Sequence, residues 1–244
     1  MRIGHASIDE NGKASNGKAG NQTGKEVCIR SYYTKNWTCV LRCKDRTIAE
    51  KMAKACEKGC NNKHIGYDQN QRNSLRTFAY AFEFDLAKID IDCECDCSSF
   101  MTVCAECAGV KIPYSSTNAP TTRTMRNAFA STGLFDVLTE SKYLTKPDYL
   151  KRGDILVAEG MHTVMVLDDG ASEDTTPTLK IGSKGEYVKH VQLYLSLLGY
   201  QVGDIDGDYG TQTMTCVKEY QMEKKLTVDG IWGAQCWASV GKSV

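Results

Sequence analysis

The sequence lacks a net charge, because its 30 lysines and arginines balance 30 aspartates and glutamates. It also lacks a basic run, so it has no electrostatic surface of the kind that binds nucleic acid or an anionic membrane. No apolar stretch approaches the ~20 residues that span a bilayer, and no hydrophobic signal segment follows Met1. We therefore expect a chain made in the cytoplasm without a signal peptide, with neither nucleic acid nor membrane as a partner.

The twelve cysteines lack the two paired knuckles that are typical of a structural zinc site. Cys56 and Cys60, like Cys104 and Cys107, stand at helical intervals where small apolar residues would also serve. Without a signal peptide the thiols should start reduced. The sequence favours free, mostly buried cysteines, with a metal site and disulfides as the remaining alternatives.

Cys97 and His162 are the candidate catalytic residues. Asp96 is a good N-cap before a run whose apolar residues recur at three- and four-residue spacing, which places Cys97 in the first turn of a helix. There the free amides and the helix dipole favour a thiolate and supply oxyanion donors. His162 opens an apolar strand whose Val164 and Val166 share its face, so we expect its imidazole to point toward the core that packs against the Cys97 helix.

The segment around these residues resembles the NlpC-type papain-like cysteine peptidases of bacterial cell walls. The resemblance rests on Asp96-Cys97-Ser98-Ser99-Phe100, on Gly66-Tyr67, and on the Gly-Asp-Ile-Leu-Val strand that leads to His162, and it covers about residues 60 to 168. It departs from the family at Ser99, where a glycine is usual, and at Asp68-Gln69-Asn70, where Trp-Gly-Gly is usual. The resemblance implies an α+β papain-like peptidase domain that works without a cofactor or metal.

The same resemblance implies that Tyr67, Asp96 and Ser98 hold the free amine of a short wall peptide. A carboxylate beside a hydroxyl suits an ammonium group. Two plainer interpretations remain open, namely that Asp96 only caps its helix and that Tyr67 is only a core residue.

The chain divides by composition into residues 1–168, an acidic linker 169–178, and residues 179–244. In the first part the pattern predicts a polar arm over the first 25 residues, a hairpin of strands 26–33 and 37–43, helices near 46–59, 68–82 and 122–131, and strands near 154–158 and 162–167. After the linker, two similar turns, Asp206-Gly207 and Asp229-Gly230, separate helical stretches. This part resembles the three-helix peptidoglycan-binding domain that many wall hydrolases carry.

A third polar group should orient His162, and the family usually provides it on the strand that follows. Here Leu167 runs directly into the linker, so we expect the 26–43 hairpin to complete the sheet beside the His162 strand. Glu26 is then the first candidate for the orienting residue. Gln22 is the second, and it is also a candidate substrate-binding residue. Asp168 is the third. The other histidines, His5, His64 and His190, are expected to be solvated.

These features predict a monomeric phage or prophage endolysin, made in the bacterial host cytoplasm and acting on peptidoglycan after release. The predicted reaction is cleavage of a stem-peptide amide bond, as by a D-glutamyl-diamino acid endopeptidase. An N-acetylmuramoyl-L-alanine amidase on the same scaffold is the alternative among hydrolases. A non-catalytic wall-binding protein and a thiol acyltransferase are the alternatives from other classes.

Overall fold

A computed structural model describes residues 1–171 and 177–240, which fall into two compact units, Met1–Glu173 and Asp174–Val244. Residues 172–176, half of the predicted linker 169–178, lie outside the described residues, so the limits of the linker stay a prediction. None of the helices in the described part of the chain has the length and hydrophobicity of a membrane span.

The first unit is built on strands and five helices among residues 1–171. The strands are β1 (Arg2–Ala6), β2 (Val27–Ser31), β3 (Cys39–Cys43), β4 (Ile65–Tyr67), β5 (Cys93–Cys95), β6 (Phe135–Leu138), β7 (Ile155–Ala158) and β8 (His162–Val166). The helices are α1 (Arg46–Asn61), α2 (Ser74–Ala81), α3 (Cys97–Cys107), α4 (Met125–Ala130) and α5 (Ser141–Thr145).

Six strands form one antiparallel sheet in the order β2-β1-β8-β7-β3-β6, and β4 pairs in parallel with β5 in a separate ribbon. One face of the large sheet packs on α1 and α3, through residues such as Met52, Phe100 and Met165. The other face carries Val164 and Val166 in a second core with Trp37. The unit is thus a mixed α/β layered structure, which confirms the predicted combination of helices and strands.

β1 lies directly against α1, and Gly4 makes this approach feasible. A β-carbon on Gly4 would stand 2.3 Å from the Cys56 sulfur, closer than any side chain tolerates. All twelve cysteines of the chain are free and ten of them are buried, so most act as small apolar residues in such contacts.

The structure corrects two expectations for this unit. The polar arm contains a buried strand, β1, which is an interior strand of the sheet. The predicted hairpin is wrong, because β2 pairs with β1 whereas β3 pairs with β7 and β6. The helices predicted near 46–59 and at Cys97 and the two late strands are confirmed, whereas the helix predicted over 68–82 is shorter.

The second unit contains α6 (Glu186–Leu197), α7 (Thr211–Glu223) and α8 (Ala234–Ser239) within residues 177–240, as the sequence predicted. Its core is aromatic, with Trp232, Tyr209 and Tyr220 fully buried. Each of these helices has glycine at its N-cap, so no side chain caps the start of the helix with a hydrogen bond.

Two glutamine side chains, here called the glutamine clamps, make equivalent hydrogen bonds to the turns between the helices. The Gln192 side chain donates to Asp206 Oδ1 at 2.9 Å and accepts from the Gly207 amide at 2.9 Å. Gln221 repeats the arrangement with Asp229 Oδ1 at 2.8 Å and the Gly230 amide at 2.9 Å. Each clamp ties a helix to the Asp-Gly turn that follows it, so both turns serve packing as well as chain reversal.

Candidate active site

Cys97 is the first residue of α3, and a complete capping box fixes the start of that helix. The Asp96 carboxylate accepts from the Ser99 amide at 2.6 Å, and the Ser99 hydroxyl accepts from the Asp96 amide at 2.9 Å. The Cys97 side chain is almost fully buried. Burial, followed by the adjacent Asp96 carboxylate, raises the pKa of the Cys97 thiol to about 12, although the Thr163 and Ser98 amides act against this. The thiol is therefore protonated at neutral pH, contrary to the expected thiolate.

His162 opens β8 and is buried beside two other rings. Its ring centroid lies 5.6 Å from that of His5 in an edge-to-face arrangement and 6.4 Å from that of Tyr33, which stacks on it. Burial, followed by electrostatic repulsion from Lys35, Arg30 and a protonated His5, lowers the pKa of His162 to about 3. The imidazole is thus uncharged at neutral pH.

A cleft of about 370 Å³ opens at the end of β8, and Cys97 is not among the residues that line it. Its lining includes His162, His5, Tyr33 and Tyr67, with Arg30, Lys35 and Gln69 among the remaining residues. The Cys97 sulfur lies by the backbone amide of Thr163, the residue after His162, and its charge would act on both Tyr33 and Tyr67. A larger groove of about 700 Å³ runs along α2, but histidine and cysteine are missing from its lining.

The Cys97 sulfur and the His162 ring do not hydrogen-bond to each other in the part of the chain that the structure describes. Strand alternation puts His162 on the face of Val164 and Val166, which pack in the core away from α3. The expectation that this face meets the Cys97 helix is therefore wrong. The ring reaches the cleft because it stands at the end of its strand.

Glu26 is fully buried, but it is not a partner of His162. Its Oε2 accepts from the Tyr67 amide at 3.1 Å, and its Oε1 has no hydrogen-bond partner within the described residues. The predicted role of Glu26 in orienting His162 is corrected accordingly, since its carboxylate holds β4 instead.

The lower-ranked candidates for that role also lie elsewhere. The Gln22 side chain is exposed and donates to the carbonyls of Lys18 and Ala19 in its own segment. Asp168 pairs with Arg2, with 2.7 Å between Oδ1 and the guanidinium.

Asp96 and Ser98 do lie together, as predicted, but Arg72 occupies the space between them. The Arg72 guanidinium donates to Asp96 Oδ1 at 3.2 Å, to Ser98 Oγ at 2.8 Å and to the Ala119 carbonyl at 2.7 Å. The predicted ammonium site is therefore filled by a cation of the protein itself. Tyr67 lines the cleft, where its hydroxyl accepts from Gln69 at 3.0 Å, and its role in holding substrate stays a prediction.

His5 is the site residue that sequence reasoning missed. It was expected to be solvated, yet it is buried, and its Nδ1 lies 3.3 Å from the Tyr33 hydroxyl. Burial, followed by the charge of Arg30, lowers the pKa of His5 to about 4. The available signal was the short run Arg2-Ile3-Gly4-His5-Ala6, which the polar residues after it obscured. His64 and His190 are exposed, as expected.

Comparison with known proteins adds two family matches. Residues 3–173 match the endolysin-like domain, and residues 184–240 match the putative peptidoglycan-binding domain. The first match covers more than half of the chain.

Solved structures with sequence similarity include three short matches. One is the SleB N-terminal domain, 30% identical over 27% of this chain and 90% of that one. Another is the Burkholderia AP3 phage endolysin, 33% identical over 27% of this chain and 25% of that one. A third is a peptidoglycan-binding protein from Clostridioides difficile in complex with glutamine hydroxamate, 31% identical over 36% of this chain and 49% of that one. The TM-score is 0.26 in each case. The chain thus spans a quarter to a half of the latter two.

The two family matches together indicate a protein that binds and lyses the cell wall. By the match over residues 3–173, the chain belongs to the endolysin-like domain family, and it carries a peptidoglycan-binding domain at residues 184–240.

Proposed function

We propose that this protein is a peptidoglycan hydrolase that cleaves an amide bond of the wall stem peptide, with Cys97 as nucleophile and His162 as base. The observation that carries the proposal is the position of Cys97. It begins a capped helix, and its sulfur lies by the amide of the residue after His162. A helix-start cysteine beside a strand histidine is the arrangement that thiol acyl transfer requires.

The reaction starts from a neutral pair, because the thiol holds its proton and the imidazole is free of one. His162 takes the thiol proton as the sulfur attacks the amide carbon, and the carbonyl oxygen becomes an oxyanion. The imidazolium then protonates the leaving amine, which leaves a thioester on Cys97. A water molecule, deprotonated by His162, hydrolyses the thioester and restores the thiol.

Two groups complete this proposed site. The Ser99 amide already donates its hydrogen bond to the Asp96 carboxylate. The oxyanion donors that remain in the first helical turn are the amides of Cys97 and Ser98. The His162 ring must also turn to reach the sulfur when substrate enters, since catalytic hydrogen bonds often tighten only in the complex.

The charges at the cleft bear on the substrate. Arg30 and Lys35 line it and would receive a carboxylate of the stem peptide. A substrate amine, in contrast, finds the Asp96 and Ser98 site filled by Arg72. We therefore propose an endopeptidase that recognises a carboxylate beside the scissile bond, such as a D-glutamyl-diamino acid endopeptidase, with the N-acetylmuramoyl-L-alanine amidase as the alternative. Mass spectrometry of the released muropeptides distinguishes the two bonds.

The test of the mechanism is lysis of purified walls by full-length variants. Cys97→Ala and His162→Ala should each abolish release of new amino groups, and the double variant should lose little more, because nucleophile and base act as one unit. Cys107→Ser, at the other end of the same helix, is the matched control and should retain activity. Appreciable hydrolysis by Cys97→Ala would refute the thiol mechanism.

A non-catalytic wall-binding protein is the second candidate function. It is favoured by the raised pKa of the Cys97 thiol and by the missing direct hydrogen bond to His162. Both candidates predict that the full chain pellets with purified walls, but only the hydrolase releases amines. Pelleting without amine release by the wild type would establish this second candidate.

A further inference from the structure

The groove along α2 is built mostly from uncharged polar side chains. Amides and hydroxyls make up most of its lining: Asn70, Gln71, Asn73, Ser74, Thr77 and Thr117. Its volume of about 700 Å³ is in the range of small-molecule sites. Within the described residues, the side chains of Gln71, Thr77 and Thr117 make no hydrogen bond, so their donors and acceptors are open to a ligand.

The charged residue of this lining, Arg76, is neutralised by the protein itself. Its guanidinium donates to Glu106 Oε1 at 3.0 Å from Nε and at 2.9 Å from Nη2. The same guanidinium lies 3.9 Å from the centre of the Tyr114 ring. A charge held in this way is not available to an anion, so the groove suits a neutral ligand that is rich in hydrogen-bonding groups.

Tyr80 gives the groove an exposed aromatic surface. The side chain is 76% exposed, which is unusual for so large a ring. Phe84 supports it edge-on, with 6.2 Å between the ring centroids and an interplanar angle of 89°. Phe84 itself packs against the main core of the first unit. The Tyr80 ring is thus fixed in position while most of it stays free to contact a ligand.

The backbone after α2 is strained in a way that places Phe84 under this ring. The Glu83 amide donates to the Tyr80 carbonyl at 3.2 Å, and the Phe84 amide donates to the Ala79 carbonyl at 2.6 Å. Glycine usually follows such a helix end, because the chain there takes a positive φ. Here Glu83 and Phe84 take φ values of 54° and 59°. Strain of this kind is typical of binding and catalytic sites.

One short segment connects the groove with the cleft at His162. Tyr67 and Gln69 line the cleft, whereas Asn70 and Gln71 line the groove. The segment is held by Asp68, whose Oδ1 accepts from the Asn70 amide at 2.6 Å and from the Gln71 amide at 3.3 Å. A ligand in the groove would therefore lie next to whatever occupies the cleft.

We propose that the groove along α2 binds the glycan strand of peptidoglycan. The C–H face of a sugar ring would stack on Tyr80, while Gln71, Thr77 and Thr117 would bond hydroxyl and acetamido groups. The strand is neutral wherever a stem peptide is attached, because the muramic acid carboxyl is then part of an amide bond. The site rests on the proposed function, since the strand would lie beside the cleft in which its stem peptide is cleaved.

NMR of the full-length protein tests the groove directly. The probe is chitotetraose, a peptide-free chain of N-acetylglucosamine, which should shift the backbone amide signals of Gln71 and Thr77. Tyr80→Ala should raise the Kd measured from these signals by about tenfold, because an aromatic anchor of the site is lost. Tyr80→Phe keeps the ring and should bind like the wild type. Ile91→Ala, at an exposed apolar residue outside the groove, is the control and should also bind normally.

Hydrolysis assays separate this site from the proposed function. Tyr80→Ala should raise the KM for glycan-linked stem peptides without changing kcat, and should leave cleavage of a free stem peptide unaltered. If the wild type cleaves neither substrate while chitotetraose still shifts the groove signals, the proposed reaction is refuted and the glycan site stands. Groove signals that do not respond to chitotetraose, or that give the same Kd in Tyr80→Ala and the wild type, would overturn the site.

Discussion

Acidification should destabilise the first unit through two buried imidazoles. Burial lowers the pKa of His162 to about 3 and that of His5 to about 4, whereas an unfolded histidine titrates near ~6.5. The folded state keeps both rings neutral, while the unfolded chain takes up protons as the pH falls below that value. Their stabilising contribution is therefore present above pH ~6.5 and is lost as the pH falls toward the folded pKa values.

The magnitude follows from the two pKa shifts. Between pH 7 and pH 5 the protonation of one unfolded histidine lowers the free energy of unfolding by about 2 kcal/mol, at about 1.36 kcal/mol per pKa unit. The two rings together give about 4 kcal/mol, which is a large part of the stability of a typical domain. Buried Glu26 and Glu94, whose pKa values are raised by burial, act in the opposite direction.

Urea unfolding of wild type and the double variant His5→Asn/His162→Asn at pH 5 and pH 7 isolates the histidine contribution. The carboxylates are common to both proteins, so they cancel in the comparison. The variant should be less stable at pH 7 but should lose about 4 kcal/mol less than the wild type on acidification. His64→Asn, at an exposed histidine, serves as the control. An equal pH dependence in the double variant and the wild type would refute the reasoning.

Three further predictions concern single contacts. Arg72→Ala leaves Asp96 buried without its cation and should lower the free energy of unfolding by about 3 kcal/mol, measured with urea. Arg72→Lys should recover only part of this loss. Equal stability of wild type and Arg72→Ala would contradict the ion pair. Once protonated below about pH 4, the His5 ring disfavours protonation of the proposed base, so in His5→Ala the acid limb of the pH–rate profile should move to higher pH. An unmoved limb would exclude that coupling. Gln192→Ala and Gln221→Ala each leave buried turn groups unsatisfied and should lower the stability of the second unit by about 2 kcal/mol by calorimetry, and an unchanged Tm would show that the clamps do not matter.

Local patterns predicted the helices well, because the spacing of apolar residues that defines a helix is visible within a short stretch of sequence. The spacing of apolar residues located α1 and α3. Asp96 was identified as an N-cap because it is an aspartate directly before the apolar pattern of α3. The three helices of the second unit followed from repeated turn chemistry. Cys97 and His162 were placed at a helix start and a strand start, as observed.

β1 could not be found in this way because both of its faces are covered. Ile3 and His5 face one core while Gly4 and Ala6 face α1, so the strand has no alternation of apolar and polar residues. Its pairing with β8, such as Ile3 with Val166, joins residues far apart in the chain. The supposed hairpin failed for the same reason, since β1 takes the edge of β2 that β3 would need.

The contacts around the site show the same limit. Arg72 lies 24 residues before Asp96, and no local rule pairs them. The Glu26 carboxylate could orient a histidine by accepting its N–H, but its Oε2 accepts a hydrogen bond from the Tyr67 amide instead. Residue type indicated what these side chains could do, whereas only the tertiary structure decided which partner they met.

The interior position of β1 also has a consequence for synthesis. Because β1 pairs with β8, the sheet of the first unit cannot close until both have left the ribosome, and contacts of such long sequence separation are slow to form. His5 and His162 therefore meet only at the end of this unit's assembly. A nascent or truncated chain that stops before residue 162 has neither the second imidazole nor the strand that pairs with β1, and hence lacks the cleft that His5 and His162 line.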